Sequence, residues 1–320
     1  MGLSQLEVVT MSERAIVFPG QGAQQPGMAA EILAACPAAA EVMETANEAL
    51  GFDLASICRE GPAERLEATD ICQPAILATS AAVVRALETE RGLDRATFGA
   101  TAGLSLGEYT ALWFAGSLSL EDALRLVRRR GEAMQAASEA APSGMLSLLG
   151  ADREKAEALA ADASSAGVCV AANILGPGSV AISGASAAID RAESIARDHG
   201  VRRAVRLKVA GAFHSPLMAS ATAVLTDALA SVEIHPPTVP FFTNVTGDRV
   251  EDPERIRAHL AEQVTSPVLW LDTMRAFEAL GMTSILEPAP GRVLTGLLRK
   301  SAPGISGSNV ETMDELGAWA

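Results

Sequence analysis

Short apolar runs alternate with stretches of helical periodicity along this chain. Residues 15–18 (AIVF) form an apolar run that is ended by Pro19 and Gly20, which predicts a buried strand. A second strand is predicted over residues 97–102, directly before a glycine-rich segment and a helical stretch over residues 108–115. Strands that alternate with helices in this way are typical of a parallel α/β sheet.

Apolar positions spaced by three and four residues predict two long helices. The first begins at Pro74, carries its apolar positions on one side and ends near Gly92. The second follows Ser119, whose spacing to Asp122 resembles a capping box. An amphipathic stripe on this second helix is formed by Leu120, Leu124, Val127, Gly131 and Met134.

The pattern changes character between residues 140 and 211. Predicted strands and helices follow one another there in the order β-α-β-β-α-β, which is that of the split βαβ or ferredoxin-like unit. The strands are predicted over residues 145–149, 168–172, 180–183 and 203–209, and the helices over residues 154–163 and 187–197. A small domain of this kind is predicted to be an insertion, because the main α/β pattern resumes at residues 285–286.

Composition and charge exclude several classes of protein. The chain has 320 residues, of which 49% are hydrophobic and 20% charged, so it can form a large core and is not expected to be disordered. Its net charge is −14, which makes it a poor candidate for a general binder of nucleic acid or of anionic membranes. No apolar run in the sequence is expected to be long enough to span a membrane, and residues 1–10 lack the basic start and apolar stretch of a secretion signal.

The cysteines favour a reducing compartment. None of them belongs to a CxxC pair, so neither a disulfide framework nor a zinc site is expected, and the predicted location is cytoplasmic. The four cysteines are Cys36, Cys58, Cys72 and Cys169.

The strongest local signal for chemistry is the segment 103–107 (GLSLG). A serine flanked by glycines two positions away fits a sharp turn between a strand and a helix, which lifts the hydroxyl of Ser105 out of the sheet. The five-residue pattern is common by chance and is also compatible with a serine in an ordinary loop before a helix. The strand predicted before it and the helix predicted after it favour a nucleophile.

A nucleophilic serine needs a base, and the chain has four histidines. His199 precedes a glycine at a predicted helix end, His235 precedes two prolines, and His259 lies in a polar helical stretch where a solvated side chain is expected. His214 lies in a loop of small residues, 211–216 (GAFHSP), at the predicted domain hinge, and binding chemistry often concentrates on such loops. A hydrogen-bonded loop histidine is the alternative, but His214 is our candidate for the base.

Two further segments carry candidate binding groups. Residues 18–24 (FPGQGAQ) are not a dinucleotide fingerprint, because Gln25 replaces the third glycine; an oxyanion-binding loop and a plain turn both remain open. At about 100° per residue, Arg129 points away from the apolar stripe of its helix, whereas Arg128 and Arg130 flank it. A flanking arginine can reach a cleft and hold a carboxylate through two hydrogen bonds, while a solvated basic face is the alternative.

With these segments in place, the chain resembles the malonyl-CoA:acyl carrier protein transacylases, the acyltransferase family of fatty acid and polyketide synthesis. The matching segments follow the family's order between about residues 14 and 300, and they are specific as a set. They are 18–22 (FPGQG), 73–75 (QPA), 103–109 (GLSLGEY), 130–135 (RGEAMQ), Asn173, 177–178 (PG), 182–184 (ISG), 212–218 (AFHSPLM), 244–247 (NVTG) and 290–297.

The resemblance implies roles for individual residues. The resemblance implies that Ser105 is the nucleophile and that His214 is its base. The backbone N–H groups of Gln21 and Leu106 would form the oxyanion hole. Arg130 would bind the free carboxylate of malonate.

Three more positions follow from the resemblance. A backbone carbonyl, rather than an aspartate, typically orients the histidine in this family, and Gln263 matches that position. Phe213 stands where a bulky ring is associated with malonyl rather than methylmalonyl units. In a polar stretch that supports the site in this family, Leu175 and Ser179 replace a frequent Asn and Gln, whereas Asn173 is retained. The resemblance therefore implies a substrate-binding role for Asn173.

The chain also departs from the family pattern beside the nucleophile. Leu104 stands where many members have histidine, and Ala23 replaces a frequent serine. Because some members carry an apolar residue before the nucleophile, activity is expected to survive at Leu104.

The strand and helix pattern and the resemblance agree on an α/β fold. We expect a large α/β-hydrolase-like domain with a parallel sheet, formed by residues 12–139 and 212–305. The small ferredoxin-like (β-α-β-β-α-β) subdomain would comprise residues 140–211, and residues 1–11 and 306–320 would be peripheral tails.

The activity that the resemblance implies is that of an S-malonyltransferase, without cofactor or metal. Its partners would be malonyl-CoA and a phosphopantetheinylated acyl carrier protein, with no nucleic acid or membrane, and a monomer is expected. A discrete acyl hydrolase that clears acyl carrier proteins would use the same Ser105 and His214, although Arg130 favours a transferase. A non-catalytic carrier-protein partner would suit Leu104 and Leu175, but the retained serine and histidine argue against it.

Overall fold

Two separate β-sheets form the framework of the protein, whose computed structural model describes residues 12–319. In chain order the strands are β1 (Arg14–Phe18), β2 (Ala100–Gly103), β3 (Ser143–Leu149), β4 (Cys169–Gly176), β5 (Ser179–Ala185), β6 (Arg203–Arg206), β7 (Phe241–Phe242), β8 (Arg249–Val250), β9 (Ser284–Pro288) and β10 (Ser306–Val310).

Fourteen α-helices surround these sheets in the described part of the chain. They are α1 (Ala30–Ala35), α2 (Pro37–Leu50), α3 (Leu54–Glu60), α4 (Ala63–Glu67), α5 (Thr69–Arg91), α6 (Gly107–Phe114), α7 (Leu120–Ala140), α8 (Arg153–Ala163), α9 (Ser186–Ile195), α10 (Ala219–Ala230), α11 (Pro253–Glu262), α12 (Trp270–Ala279), α13 (Val293–Ser301) and α14 (Met313–Ala318).

The larger sheet has the strand order β10-β9-β1-β2-β7-β8, and all its neighbours pair in parallel except β7 and β8. Alternate residues of the central strand β1 face opposite sides of this sheet. Ile16 and Phe18 belong to one hydrophobic cluster, and Ala15 and Val17 belong to another. Both faces are therefore covered, as the apolar run predicted, and the expected parallel α/β architecture is confirmed.

Helix α5 passes through the larger hydrophobic cluster. It is long and apolar enough to cross a membrane by length and composition, with a mean hydropathy of 1.2, but 89% of that stretch is buried inside the protein. The expectation that no run reaches this length is thus corrected, and the burial identifies a core helix that is apolar on nearly all sides.

The start of α5 differs from the predicted one, because Pro74 lies inside the helix. A proline has no N–H to donate to the carbonyl of the residue four positions earlier, which here is Asp70. The carbonyl of Asp70 instead accepts a hydrogen bond of 3.0 Å from Nη1 of Arg128 on α7. A long-range partner therefore compensates for the missing helical hydrogen bond, and local pattern cannot reveal such a partner.

The smaller sheet is antiparallel with the order β4-β5-β3-β6, and α8 and α9 pack on one of its faces. The predicted β-α-β-β-α-β order is confirmed. Met145, Ala172 and Ala181 on its other face pack with Phe213 of the larger domain. Strand β4 is also bonded to that domain, since Val268 accepts from the N–H of Ile174 at 2.9 Å and donates to Ala172 at 2.8 Å.

The last part of the chain is an integral part of the larger sheet. Strand β10 pairs in parallel with β9, and α14 follows with a capping box formed by Thr312 and Glu315. The predicted peripheral tail over 306–320 is therefore corrected: the sequence of β10 (SGSNV) has no apolar alternation that would predict a strand. The tail predicted over residues 1–11 lies outside the described residues.

Candidate active site

Ser105 lies in the tight turn between β2 and α6, at the carboxyl edge of the parallel strands. Its backbone has a φ of +53°, a left-handed conformation that is rare for residues other than glycine. A Cβ at Gly103 would lie 1.9 Å from the carbonyl carbon of Gly107, and a Cβ at Gly107 would lie 2.3 Å from the carbonyl oxygen of Phe18. Both glycines of the GxSxG pattern are therefore required by close approach of backbone to backbone.

Asn244, which follows β7, holds this turn from the other side. Its Oδ1 accepts a hydrogen bond of 2.7 Å from the N–H of Ser105, and its Nδ2 donates to the carbonyl of Gly103 at 2.7 Å. Because the Asn244 side chain is completely buried, these bonds are shielded from water. They help to hold the strained conformation of the serine in place.

His214 is the hydrogen-bond partner of the serine, although the two residues are 109 positions apart in the chain. Its Nε2 lies 2.8 Å from Oγ of Ser105, and its Nδ1 lies 2.9 Å from the backbone carbonyl of Gln263. A carbonyl can only accept, so Nδ1 carries the hydrogen and Nε2 of the neutral ring accepts from the serine hydroxyl. This is the tautomer that a general base requires.

The position of His214 keeps its imidazole neutral. The pKa of His214 is lowered to about 4, mainly by burial and also by the nearby positive charge of Arg130. The same shift makes folding less favourable as the pH falls from 6.5 towards 4, since the unfolded chain binds a proton that the folded site excludes. The ring is therefore in its basic form at neutral pH.

This depressed pKa gives a testable pH dependence. The neutral imidazole persists at pH values above about 4, so we expect the final acid limb of kcat/KM for acylation of Ser105 to have its midpoint near pH 4. The measurement is the second-order rate constant of enzyme acylation, from pre-steady-state kinetics between about pH 3 and pH 8, because kcat/KM reports the free enzyme. Complete loss of the rate with a midpoint at the ordinary histidine value of 6.5 would contradict this assignment.

Arg130 of α7 reaches the same serine and is only 1% exposed. Its Nη2 donates to Oγ of Ser105 at 2.9 Å and to Oε1 of Gln263 at 2.8 Å, and its Nη1 donates to Oε1 of Gln73 at 2.7 Å. Burial lowers the pKa of this guanidinium, while the Tyr109 ring and Glu108 act in the opposite direction. These hydrogen-bond partners are all neutral, and within residues 12–319 no carboxylate lies within salt-bridge distance of Arg130. A buried cation without a carboxylate partner is suited to an anionic ligand.

The loop predicted to supply one oxyanion donor lies against the nucleophile turn. A Cβ at Gly20 would lie 2.7 Å from the carbonyl oxygen of Leu104, so the backbones of the two loops are in contact. Gln21 and Leu106 therefore belong to neighbouring turns at the same edge of the sheet, where β1 and β2 pair in parallel. Their joint role as an oxyanion hole stays a prediction.

Within residues 12–319, two of the predicted residues, Phe213 and Asn173, have no side-chain hydrogen bond to this centre. Phe213 is buried next to His214, between the two domains. Asn173 lies on β4 where that strand meets Val268, and its Oδ1 has no hydrogen-bond partner among the described residues. The structure thus brings Ser105, His214, Arg130 and Gln263 into one hydrogen-bonded group that does not include Phe213 or Asn173.

The other three histidines have different surroundings. In the small domain, Nε2 of His199 lies 3.3 Å from Oδ2 of Asp162. At the surface, Nδ1 of His235 lies 3.7 Å from Oε1 of Glu233. His259 on α11 was expected to be solvated, but it is half-buried and its Nδ1 is without a partner among the described residues. In the same part of the chain, no group of three or more His, Cys, Asp or Glu side chains converges as metal ligands would.

The model of one protein family, described as the acyl transferase domain, matches residues 15–319. The chain belongs to the acyl transferase domain family. The malonyl CoA-acyl carrier protein transacylase of Bacillus subtilis is 40% identical to this acyltransferase over 291 residues, which are 91% of this chain and 90% of that protein. The resemblance inferred from the motifs is confirmed.

Solved structures agree with this assignment. The crystal structure of a malonyl-CoA:acyl carrier protein transacylase from Xanthomonas oryzae pv. oryzae superposes with a TM-score of 0.92 at 40% identity, covering 97% of this acyltransferase and 99% of that chain. A malonyl-transacylase in complex with its type II PKS acyl-carrier protein has a TM-score of 0.91 at 35% identity, covering 95% of this chain and 98% of that one.

Sequence reasoning assigned no role to several buried residues that complete the site of this acyltransferase. They all lie in segments that carried the resemblance, so the signal was present as a motif. The motif did not indicate the direction of each side chain, because that direction depends on which helix or loop packs against the residue. These residues are Gln73, Glu108, Tyr109 and Asn244.

Proposed function

We propose that this acyltransferase moves a malonyl group from malonyl-CoA to the phosphopantetheine thiol of an acyl carrier protein. The reaction passes through a malonyl-Ser105 intermediate. The observation that carries this proposal is the position of the Arg130 guanidinium, 2.9 Å from Oγ of Ser105 and held by neutral partners. A cation at this place matches an acyl group that ends in a carboxylate.

In the first half-reaction, Nε2 of His214 takes the proton of Ser105 while Oγ attacks the thioester carbonyl. We assign the backbone N–H groups of Gln21 and Leu106 to the oxyanion of the tetrahedral intermediate. One such donor contributes about 2.7–4 kcal/mol in a comparable hydrolase site. The intermediate then collapses to the serine ester, and the coenzyme A sulfur leaves with the proton from His214.

In the second half-reaction, the thiol of the carrier's phosphopantetheine takes the place of the first nucleophile. His214 accepts the thiol proton as the sulfur attacks the ester carbonyl, and it returns a proton to Oγ of Ser105 when the ester bond breaks. The carbonyl of Gln263 keeps the ring in the same tautomer in both directions. The similar malonyl-transacylase that was solved with its acyl-carrier protein supports a carrier protein as the acceptor.

Selectivity for malonyl groups follows from Arg130. Its Nη2–H is directed at Oγ of Ser105 in the free enzyme, and an ester oxygen is a weaker acceptor than a hydroxyl. The guanidinium is therefore released to bind the malonyl carboxylate once the serine is acylated. An acetyl group would leave the buried charge without that partner, which is costly.

Phe213 and Asn173 complete the proposed acyl site. The ring of Phe213 is packed between the two domains, and we assign it to the exclusion of the extra methyl group of methylmalonyl units. The unpartnered Oδ1 of Asn173 supports a contact with substrate. A cytoplasmic location stays part of the proposal, and it is supported by four buried cysteines with free thiols. The monomeric state also stays part of the proposal.

A transfer assay tests the proposed function. Malonyl-, methylmalonyl- and acetyl-CoA are offered separately with a phosphopantetheinylated carrier protein, and both the acyl-carrier product and the free acid are measured. We expect malonyl transfer to exceed acetyl transfer by about 100-fold, since an unpaired buried charge costs several kcal/mol and each 1.4 kcal/mol is tenfold. The control is the carrier without its phosphopantetheine, which should receive no acyl group.

Two outcomes of that assay would overturn the proposal. Release of free malonic acid without carrier product would identify the acyl hydrolase that shares the same dyad. Equal transfer of acetyl and malonyl groups would remove the role assigned to Arg130.

A further inference from the structure

Glu108 is a fully buried carboxyl group that takes no part in the proposed proton transfers. It lies in the first turn of α6, three positions after Ser105. Its Oε1 accepts from the backbone N–H of Asn244, and its Oε2 accepts from the side-chain amide of Gln263. Both oxygens of this buried carboxylate are thus acceptors for donors on other elements.

The two residues that donate hydrogen bonds to Glu108 also hold the catalytic serine and histidine in position. Asn244 binds the N–H of Ser105 and the carbonyl of Gly103 through its side chain. Gln263 binds Nδ1 of His214 through its backbone carbonyl. One carboxylate therefore connects the nucleophile turn to the residue that positions the base.

Glu108 also determines which way the amide of Gln263 faces. Nε2 of Gln263 donates to Glu108 and, at 3.0 Å, to the carbonyl of Ser105, and both of these partners accept. Oε1 of Gln263 is consequently left to accept from Nη2 of Arg130 at 2.8 Å. If the Gln263 amide were flipped, its NH₂ group would face the Arg130 guanidinium, which can only donate hydrogen bonds. The observed orientation of the amide is therefore needed to hold Arg130.

We propose that Glu108 is a positioning residue for malonyl selectivity, which acts by fixing the Gln263 amide and, through it, the Arg130 guanidinium. The inference rests on the proposed function, because it concerns how that site selects a carboxylate-bearing acyl group. A glutamine at this position cannot replace the carboxylate. In either orientation its NH₂ would face one of the two donors, Asn244 N–H or Gln263 Nε2.

The charge state of Glu108 provides a second readout. Burial raises the pKa of Glu108 to about 7, against the opposing effects of its hydrogen bonds from Asn244 and Gln263 and of the Arg130 charge. The titratable and charged groups that face it are Arg130 of α7 and Tyr109 of α6. A protonated carboxyl carries one donor, so it would disturb the Gln263 amide much as a glutamine does. Malonyl selectivity is then expected to decrease below neutral pH, well above the acid limb of His214.

The test compares Glu108→Gln with the wild-type full-length chain. We expect kcat/KM for malonyl-CoA to fall by about 10- to 100-fold, by analogy with the loss that follows removal of a group that orients a metal ligand. Transfer of acetyl groups, which does not use the carboxylate site, should fall much less, so the malonyl-to-acetyl ratio decreases. A folded Glu108→Gln variant with an unchanged ratio would overturn the proposal.

Glu287→Gln is the matched control. Glu287 is also fully buried, and its two oxygens accept from the backbone N–H groups of Leu294 and Thr295 at the start of α13. We expect this variant to lose a similar amount of thermal stability and to keep the wild-type ratio of malonyl to acetyl transfer. A ratio that falls as far as in Glu108→Gln would show a general effect of destabilisation and would contradict the assignment.

A measurement on the wild-type enzyme decides the matter if Glu108→Gln does not fold. The malonyl-to-acetyl ratio is determined between pH 6 and pH 8, where the malonyl carboxylate stays ionised. We expect the ratio to fall as the pH passes downward through about 7, and a constant ratio would overturn the proposal. Failure of this inference leaves the proposed function intact, because the covalent malonyl adduct on Ser105 and its transfer are measured separately.

Discussion

Ser105→Ala is expected to abolish the covalent malonyl adduct and to reduce the rate of transfer by about 10⁴-fold or more. The variant keeps the glycines that the turn requires and the Asn244 hydrogen bond to the backbone N–H of residue 105. It removes only the hydroxyl that lies between His214 and Arg130. The fold should therefore persist, while no oxygen is left to accept the acyl group.

Intact-mass measurement after mixing with malonyl-CoA checks this result directly. Ser194→Ala is a suitable control, because Ser194 is an exposed residue of α9 whose hydroxyl, within residues 12–319, bonds only the carbonyl of Arg191. That variant should acquire the malonyl mass at the wild-type rate. A malonyl adduct on Ser105→Ala would place the nucleophile elsewhere in the chain.

Arg130→Ala is expected to lower kcat/KM for malonyl-CoA by about 10³-fold while retaining part of the acetyl transfer or hydrolysis. The loss is selective because the guanidinium is the cation that we assign to the malonyl carboxylate. The substitution also removes a charge that lowers the pKa of His214, so the acid limb of the pH profile should move upward. Parallel assays with malonyl- and acetyl-CoA measure the change in selectivity.

The neighbouring arginine provides the control for this prediction. The side chain of Arg129 is 60% exposed, and in the described part of the chain it pairs only with Glu132 on the same helix, at 3.3 Å. Arg129→Ala should therefore leave both activities at the wild-type level, because exposed pairs contribute little. Full malonyl selectivity in Arg130→Ala, or an equal loss of malonyl and acetyl transfer, would refute the role of Arg130.

The segment around Ser105 shows how far local sequence carries the prediction. The Gly103 and Gly107 spacing indicated a tight turn, and the structure has that turn because backbone atoms approach too closely for any Cβ. Steric constraints of this kind act within a few residues, so a sequence pattern can express them. The β-α-β-β-α-β order of the small domain was also predictable, because the periodicity of apolar residues that distinguishes strands from helices is likewise local.

The arginines on α7 show where local sequence stops. Periodicity placed Arg128 and Arg130 on either side of the apolar stripe and could not separate them. In the structure Arg128 binds Asp70 and Glu132, whereas Arg130 enters the active site. The difference arises from α5 and the segment after α11, which supply Gln73 and Gln263 as partners for Arg130 alone.

By itself, the sequence determined the strand and the helix on either side of the nucleophile turn, the turn itself, the element order of the small domain and the family, because each of these is expressed in spacing over short segments. Only the tertiary structure decided which side chains meet. Folding brought Ser105 next to a histidine that is 109 positions away in the chain. It also placed the buried Glu108 where its two oxygens accept hydrogen bonds from Asn244 and Gln263. Such contacts depend on the packing of elements that are distant in the chain, and the direction of a buried side chain is settled only when that packing is complete.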